Sequence, residues 1–494
     1  MNLGTMLHEM ASQHLHETAL VCRDRRLSHA QLDAESRGLA RRLLAEGLKP
    51  GDRVGVHWSN SVEAVKLLLA CFHAGLIALP VNVRLKAPEV AYIMGHSGAA
   101  AWFSQPELAG WAREARADFP GAPEIRTELP AGIAEGDLPA VDERNPAVVM
   151  YTSGTTARPK GVTHTHQSLM AAENLMHAVG LQGGHTVIFM VSVMHASGLI
   201  CLLLPTLAQR GTAVLLPAFD AAEVLDTIER ERCTFVIGLP AMLQFVVEEQ
   251  MRRPRDVSST RIGMSGGDTV PVKLQERFQE LFGVPLWELY GMTETVPATS
   301  NVEGAVRAGS VGRPVAGVRM RVLDLSGREL ADGETGEIAI HSPSNFVGYW
   351  GDERNTAATL VDGWVLTGDL GRRDQDGYYW FDGRKKEIII RGGSNIAPQE
   401  VEEALYRHPA VLEAGVIGMP HEVFGEVVVA CVSLKDGRTA CEEELRAFAR
   451  ERIADYKVPE RIVFLSELPK GVTGKVQRRA LKELAGEAAR AQGA

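Results

Sequence analysis

The chain has 494 residues, 45% of them hydrophobic and 23% charged, with a formal net charge of −10. That length allows more than one domain and a large core, and the mixture is that of an ordinary soluble globular protein. The acidic balance argues against a general nucleic-acid or anionic-membrane binder, so cations that hold any polyphosphate must be local.

The first residues lack a basic region followed by an apolar core, so no signal peptide is expected. Residues 7–14 read as a short helix, and Ala19–Cys22 with Arg26-Leu27 as a hairpin. Helices follow at 29–44, 61–75 and 88–96, alternating with short apolar strands at 54–56 and 78–81. This alternation predicts an α/β fold, a largely parallel sheet with crossover helices. Residues 106–143, rich in Pro, Gly and acids, read as a surface excursion without chemistry.

Ala147-Val148-Val149-Met150 reads as a buried strand, and 166–179 as a helix started by Thr165. Between them lies Tyr151-Thr152-Ser153-Gly154-Thr155-Thr156-Ala157-Arg158-Pro159-Lys160-Gly161, a loop of small hydroxylated residues closed by a lysine. Gly154 lets backbone approach a ligand closely. The hydroxyls, the N–H groups and Lys160 suit anionic oxygens. The spacing is not the Walker pattern.

Residues 186–209 carry no Asp, Glu, Lys or Arg, but His195-Ala196-Ser197-Gly198 and Pro205 interrupt them. A membrane span needs about 20 unbroken apolar residues. The stretch therefore reads as a buried strand, a functional turn and a buried helix. Strands at 213–216 and 233–237 and helices at 221–230 and 240–251 continue the alternation. From 318 to 340, and again at 376–381, the texture becomes antiparallel, a small barrel-like part.

A boundary is placed near 383–386, dividing a large domain, 1–383, from a small α+β domain, 384–494. The latter reads as helix 399–406, strands 411–417 and 427–434, and a Thr439-x-x-Glu442 capping box opening a helix to 453. A strand at 461–465 and a mainly helical 475–489 complete it. Cys22, Cys71, Cys201, Cys233, Cys431 and Cys441 form no C-x-x-C pair. That fits a reducing cytoplasm, with neither disulfide framework nor zinc site.

Five further stretches carry chemistry: Ser265-Gly266-Gly267-Asp268, Leu289-Tyr290-Gly291-Met292-Thr293-Glu294-Thr295, Val365-Leu366-Thr367-Gly368-Asp369, Gly383-Arg384-Lys385-Lys386-Glu387, and Pro469-Lys470-Gly471-Val472-Thr473-Gly474-Lys475. Taken singly, Glu294 reads as a surface acid, Asp369 as a turn former and Lys475 as a lysine at a helix N-terminus, where a cation opposes the dipole. As an ordered set, with the 151–161 loop, they resemble the adenylate-forming superfamily of acyl-CoA synthetases, luciferases and peptide-synthetase adenylation domains. The resemblance covers residues 28–479.

The resemblance implies a role for each motif. Thr152, Ser153, Gly154, Thr155, Thr156 and Lys160 would hold ATP phosphates. Gly266, Gly267 and Asp268 would line the adenine, with Tyr290 packed on its ring and Gly291 and Met292 beside it. Thr293 would contact the α-phosphate and Glu294 would hold Mg²⁺. Asp369 and Arg384 would bind the ribose hydroxyls. Lys475 would bridge carboxylate and α-phosphate, and Lys386 would be the hinge. A carboxylate attacking an anionic phosphorus needs such a cation, a metal on the leaving pyrophosphate, and fixed donors. One departure is Ala157-Arg158, where the family usually places a glycine. A position requiring φ > 0 would strain Ala157.

Residues 391–402, beginning Arg391-Gly392-Gly393, look like the CoA ligases, and no carrier-protein domain is expected after them. Gly392 and Gly393 would face the pantetheine arm of CoA. The acid pocket would draw on His195, Gly198, Gly238, Leu239, Leu289, Gly291, Val296 and Pro297. A purely structural role is the alternative for His195. Apart from Glu294 these windows hold no Asp, Glu, Lys or Arg, so a second substrate charge would be costly to bury. The expected enzyme is an ATP-dependent ligase joining an apolar-tailed monocarboxylate, medium-chain fatty or aryl, to CoA through an acyl-AMP. Loading of a free-standing carrier protein, a non-catalytic nucleotide-binding relative and a light-emitting oxygenase are the alternatives. Either a monomer or a homodimer fits the sequence.

Overall fold

Short apolar strands alternating with helices do form largely parallel sheets here, two of them. The computed structural model describes residues 2–117, 121–152, 159–302, 304–392, 394–471 and 475–492. One sheet has nine strands, in the spatial order Arg313–Pro314, Thr295–Ser300, Leu286–Met292, Ile262–Gly266, Phe235–Gly238, Thr186–Phe189, Thr212–Leu215, Thr18–Cys22 and Arg25–Ser28. Its six central strands are parallel, and antiparallel strands close both edges. The second sheet has seven strands, in the order Gly348–Tyr349, Lys160–Thr165, Pro146–Thr152, Ile77–Val81, Arg53–His57, Ala101–Ser104 and Ile125–Arg126.

Strands covered on both faces need apolar residues at successive positions, and Ile77–Val81 is buried throughout. Helix Val62–Ala74 lies against the core and is buried at every position except Glu63 and Lys66. Its start is fixed by the Ser61 hydroxyl, which accepts from the Ala64 N–H at 3.1 Å. It stops at Gly75, whose φ of +68° is left-handed. Leu67, Leu68 and Phe72 of this helix share one apolar cluster with Val54, Val56 and Ala78 of one sheet and Val187, Phe189 and Leu215 of the other.

Several sequence expectations need correction. Residues 160–165 are a strand antiparallel to Pro146–Thr152, with Thr152 opposite Lys160, so Lys160 begins a strand instead of closing a loop. The 106–143 excursion contains helix Ala109–Ala117. Its Ala112 and Ala115, three residues apart on one face, are fully buried in the cluster around Trp102. Thr439 caps no helix. The helix is Glu442–Arg450, its N-cap is Cys441, and Glu442, Glu443 and Glu444 fill its first turn, where the helix dipole favours them. The last helix starts at Arg478, which leaves Lys475 ahead of it.

Residues 186–209 form the expected strand and turn, then a π-helical turn Leu199–Leu203 running into Leu204–Ala208. The antiparallel part is a five-stranded sheet: Arg319–Leu323, Gly336–His341, Trp364–Arg373 and Leu360–Val361, with Tyr379–Arg384 also paired to Trp364–Arg373. Among the described residues its pairings do not close into a barrel. The chain leaves this sheet at Arg384 and enters a separate five-stranded sheet at Ile389. That sheet carries helices Pro398–Tyr406 and Glu442–Arg450 around one apolar cluster and the C-terminal helix around another. Among the described residues, no helix is long and apolar enough to cross a membrane.

Candidate active site

In parallel α/β sheets, ligands collect where strand carboxyl ends open into loops. Three neighbouring strands, Phe235–Gly238, Ile262–Gly266 and Leu286–Met292, end side by side here, with Gly238 opposite Ser265 and Gly266 opposite Leu289. The Ser265 hydroxyl ties them, donating to the Gly238 carbonyl at 3.1 Å. A crevice of about 1360 Å³ lies over these ends, and Leu239, Gly267, Asp268, Tyr290, Gly291 and Asp369 are among the residues lining it. Gly266 is not among the lining residues. A Cβ there would stand 2.2 Å from the Leu289 carbonyl oxygen, so its role is close strand approach. Gly291 is crowded in the same way by Val296 and the Thr295 carbonyl.

Asp369 lies within the long strand Trp364–Arg373, not at its end. A register shift between Leu370 and Gly371 sets Asp369 directly opposite Arg384. Its carboxylate accepts from the Tyr290 hydroxyl at 2.7 Å and lies 3.3 Å from the Arg384 guanidinium. Only 5% of Asp369 is exposed. Burial pushes its pKa above the usual carboxylate range, and Arg384 opposes that shift. The Tyr290 ring lies 6.2 Å from that of Phe381.

Glu294 is 7% exposed, against the surface position that its charge alone implies. It accepts from the Tyr349 hydroxyl at 2.7 Å. Among the described residues no Lys or Arg forms an ion pair with it, and burial raises its pKa. Lys160 Nζ stands 4.6 Å from the centroid of the Tyr349 ring. Next to Glu294, the Thr293 carbonyl accepts from His164 Nε2 at 2.7 Å. Burial pushes His164 down to about 4, so it is neutral near pH 7.

His195 caps the short helix Ala196–Gly198: its Nδ1 accepts from the Ser197 N–H at 3.3 Å and from the Ser197 hydroxyl at 2.8 Å. Burial, and then the Lys475 charge, push its pKa down to about 4. Leu239, Leu289 and Val296 share one apolar cluster with Met194, Ala196 and Leu199. Gly198 and Gly238 are pressed against the Ser192 carbonyl and the Met190 sulfur, which leaves no room for a Cβ.

Lys475 comes from the C-terminal sheet unit, yet it lines the same crevice as Asp369 and Arg384. Burial and the Arg384 charge lower its pKa, while Asp268, Asp369 and Glu387 oppose that shift. The Lys475 carbonyl accepts from the Gly471 N–H at 2.7 Å, and the Gln477 N–H donates to the Pro469 carbonyl at 2.8 Å. Three residues on, Arg478 is bonded to Glu387 at 2.9 Å, to Glu402 and to the Val416 carbonyl at 2.8 Å. Lys386 and Gly392 are not among the described residues lining the crevice. Gly392, at φ +56°, donates to the Phe424 carbonyl at 2.8 Å.

Ser153, Gly154, Thr155, Thr156 and the Ala157-Arg158 departure lie outside the described residues, as does Gly393. Sequence reasoning missed Tyr349, His164 and Arg478. Tyr349 stands in a Gly-Tyr-Trp run distant in sequence from every motif, and only strand pairing brings it to Lys160 and Glu294.

The AMP-binding enzyme family model matches residues 7–350, and the model of the AMP-binding enzyme C-terminal domain matches 400–475. A feruloyl-CoA synthase from Amycolatopsis sp is 36% identical, over 96% of this chain and 97% of its own length. An indoleacetate–CoA ligase from Aromatoleum aromaticum is 35% identical, over 98% of each. The crystal structure of the anthranilate CoA ligase AuaEII in complex with anthranoyl-AMP superposes with a TM-score of 0.94 at 28% identity, covering 99% of this chain and 98% of that one. The chain belongs to the AMP-binding, adenylate-forming enzymes, on the branch that holds the acyl- and aryl-CoA ligases.

Proposed function

We propose that this acid–CoA ligase activates a monocarboxylic acid with an apolar tail, medium-chain fatty or aryl, as its acyl-AMP, and passes the acyl group to CoA. The observation that carries the reading is the placement of Lys475. This cation from the C-terminal unit lines the crevice together with Asp369 and Arg384, and its charge helps to lower the pKa of His195. A flexible point charge there bridges an anionic carboxylate and an α-phosphate as they meet.

On this reading Asp369 and Arg384 take the ribose hydroxyls, and Tyr290 and Gly267 flank the adenine. Thr152 and Lys160 grip phosphate. Glu294, a buried carboxylate with a tyrosine donor and, among the described residues, no paired cation, fits an oxygen ligand for Mg²⁺. The metal would neutralise the departing pyrophosphate. The Leu239, Leu289, Val296 and Met194 cluster supports an apolar tail. The CoA step turns the small unit about Lys386 and brings Gly392 inward. Exposed Phe424 and Tyr456, with Arg391 lying 4.9 Å from the Phe424 ring, flank that turn as an aromatic and cationic face.

The test is pyrophosphate release from ATP and Mg²⁺ across fatty, aryl, hydroxycinnamic and dicarboxylic acids, with and without CoA. Turnover requiring CoA and one apolar acid class is expected. Preference for a dicarboxylate would overturn the pocket reading, and release stopping near one equivalent even with CoA would overturn the acceptor. Lys386→Pro is expected to slow thioester formation and spare adenylation.

A further inference from the structure

Strand Gly348–Tyr349 is two residues long, yet it is pinned from three directions. The Val347 and Trp350 N–H groups donate to the Thr163 and Gly161 carbonyls at 3.0 and 2.7 Å. The Tyr349 N–H donates to the Thr356 hydroxyl at 2.8 Å. Two residues before the strand, the Phe346 N–H donates to the carbonyl of Glu294 itself at 2.8 Å. Gly348, at φ +147° with Thr356 Cγ2 2.9 Å from where a Cβ would stand, permits this close wrap. So many bonds on so short a strand fix the direction of one side chain, that of Tyr349, which is 8% exposed.

That side chain touches two groups carried by different sheets. Its hydroxyl donates to Glu294 Oε1 at 2.7 Å, on the hairpin that edges the nine-stranded sheet. Its ring face receives Lys160 Nζ at 4.6 Å, on the seven-stranded sheet. A cation over the face of a phenol is attracted by the ring quadrupole. It also polarises the O–H toward a stronger donor, as successive links in a polar network reinforce one another.

We infer that Tyr349 is a positioning residue for adenylation, coupling the carboxylate that holds the divalent metal to the lysine that grips phosphate. The inference rests on the roles proposed above for Glu294 and Lys160. Losing the hydroxyl frees the Glu294 carboxylate to rotate, whereas losing the whole ring also releases Lys160.

Two variants separate these contacts, and equilibrium binding reads them without turnover. Tyr349→Phe keeps the ring and removes the donor; Tyr349→Leu removes both. Free Mn²⁺ is titrated by electron paramagnetic resonance in the presence of ATP, and metal-free ATP affinity is measured in EDTA. Tyr349→Phe is expected to weaken Mn²⁺ binding about 5- to 10-fold and to leave metal-free ATP affinity unchanged. Tyr349→Leu is expected to weaken both, and its melting temperature to stay within a few degrees of the parent's. In a Glu294→Gln background, Tyr349→Phe should add little further loss, because its partner has already gone.

Parental Mn²⁺ affinity in Tyr349→Phe, or an equal Tyr349→Phe loss with and without Glu294, would overturn the coupling alone. If Glu294→Gln leaves Mn²⁺ affinity unchanged, the metal role of Glu294 falls, and the coupling falls with it.

Discussion

Two buried carboxylates, assigned above to the ribose and pyrophosphate ends of the proposed nucleotide site, are built from the same parts and finished differently. Asp369 and Glu294 each accept one tyrosine hydroxyl at 2.7 Å, and each has a cation close by. At Asp369 the cation, Arg384, meets the carboxylate itself at 3.3 Å. At Glu294 the cation, Lys160, meets the tyrosine ring instead. The charge of Asp369 is therefore already balanced by protein, and its remaining acceptor capacity suits neutral hydroxyls. Among the described residues no cation pairs with Glu294. Burying a carboxylate costs free energy unless it is paired, and this is the carboxylate proposed above as the metal ligand.

The largest way to break this comparison is to remove the cation that belongs to neither end. Lys475→Ala should lower acid-dependent ATP–pyrophosphate exchange about 10²- to 10³-fold, the scale for losing a donor aimed at a transition state. Thioester formation from supplied acyl-AMP should change less than about 3-fold. Equal loss in both half-reactions would show that the lysine serves the fold.

Next come the carboxylates themselves. Losing a charged hydrogen-bond acceptor is worth about 10- to 100-fold, and the two ends should lose it differently. Glu294→Gln should raise the Mg²⁺ concentration for half-maximal exchange. Asp369→Asn should raise the KM for ATP at saturating Mg²⁺. Identical signatures from the two would collapse the distinction. A smaller effect, about 3- to 10-fold on the KM for ATP with no change in Mg²⁺ requirement, is expected of Tyr290→Phe, since the guanidinium still faces Asp369.

The smallest expected effect concerns pH. His164 lies under the Thr293 carbonyl, beside the Glu294 end, and titrates at about 4 in the folded chain. In the unfolded chain its pKa returns to about 6.5. This depressed base contributes stability that is fully present above pH 6.5 and is lost as pH falls toward 4. At pH 5, His164→Gln should make the dependence of unfolding free energy on pH shallower by about 1.2 kcal/mol per pH unit. An unchanged slope in denaturant titrations at pH 4.5, 5 and 5.5 would mean that the imidazole is not held neutral.

What was legible in the chain divides along local and long-range physics. The strand at 233–237 could be placed because an apolar run bounded by a glycine is a local signal. Gly267, Asp268, Tyr290 and Glu294 were legible only through the ordered set of motifs and the family it resembles, since Tyr290 lies inside the strand Leu286–Met292. The pairing of Asp369 with Arg384 needed an antiparallel register, which depends on a bulge that no local pattern announces. The strand Lys160–Thr165 was hidden because the small hydroxylated residues before it read as loop, whereas its hydrogen bonds go to residues 146–152. Tyr349 was invisible for the same reason, since a two-residue strand has no periodicity. Thr439 was misread because its spacing to Glu442 is formally that of a capping box. The three glutamates starting at Glu442 fill the first turn of a helix that begins later.

Arg384 is the last residue of its strand, and Ile389 is the first residue of the next sheet. On the proposed rotation, the residue that would grip the ribose would also be the mounting plate from which the small unit turns. Torque delivered through the crossing at 385–388 would then land on the Asp369–Arg384 pair. A nucleotide seated there would stiffen the plate while the arm turns, and an empty one would leave it compliant. Sensing the cargo and bearing the load of the swing would then be one task, done by one hairpin.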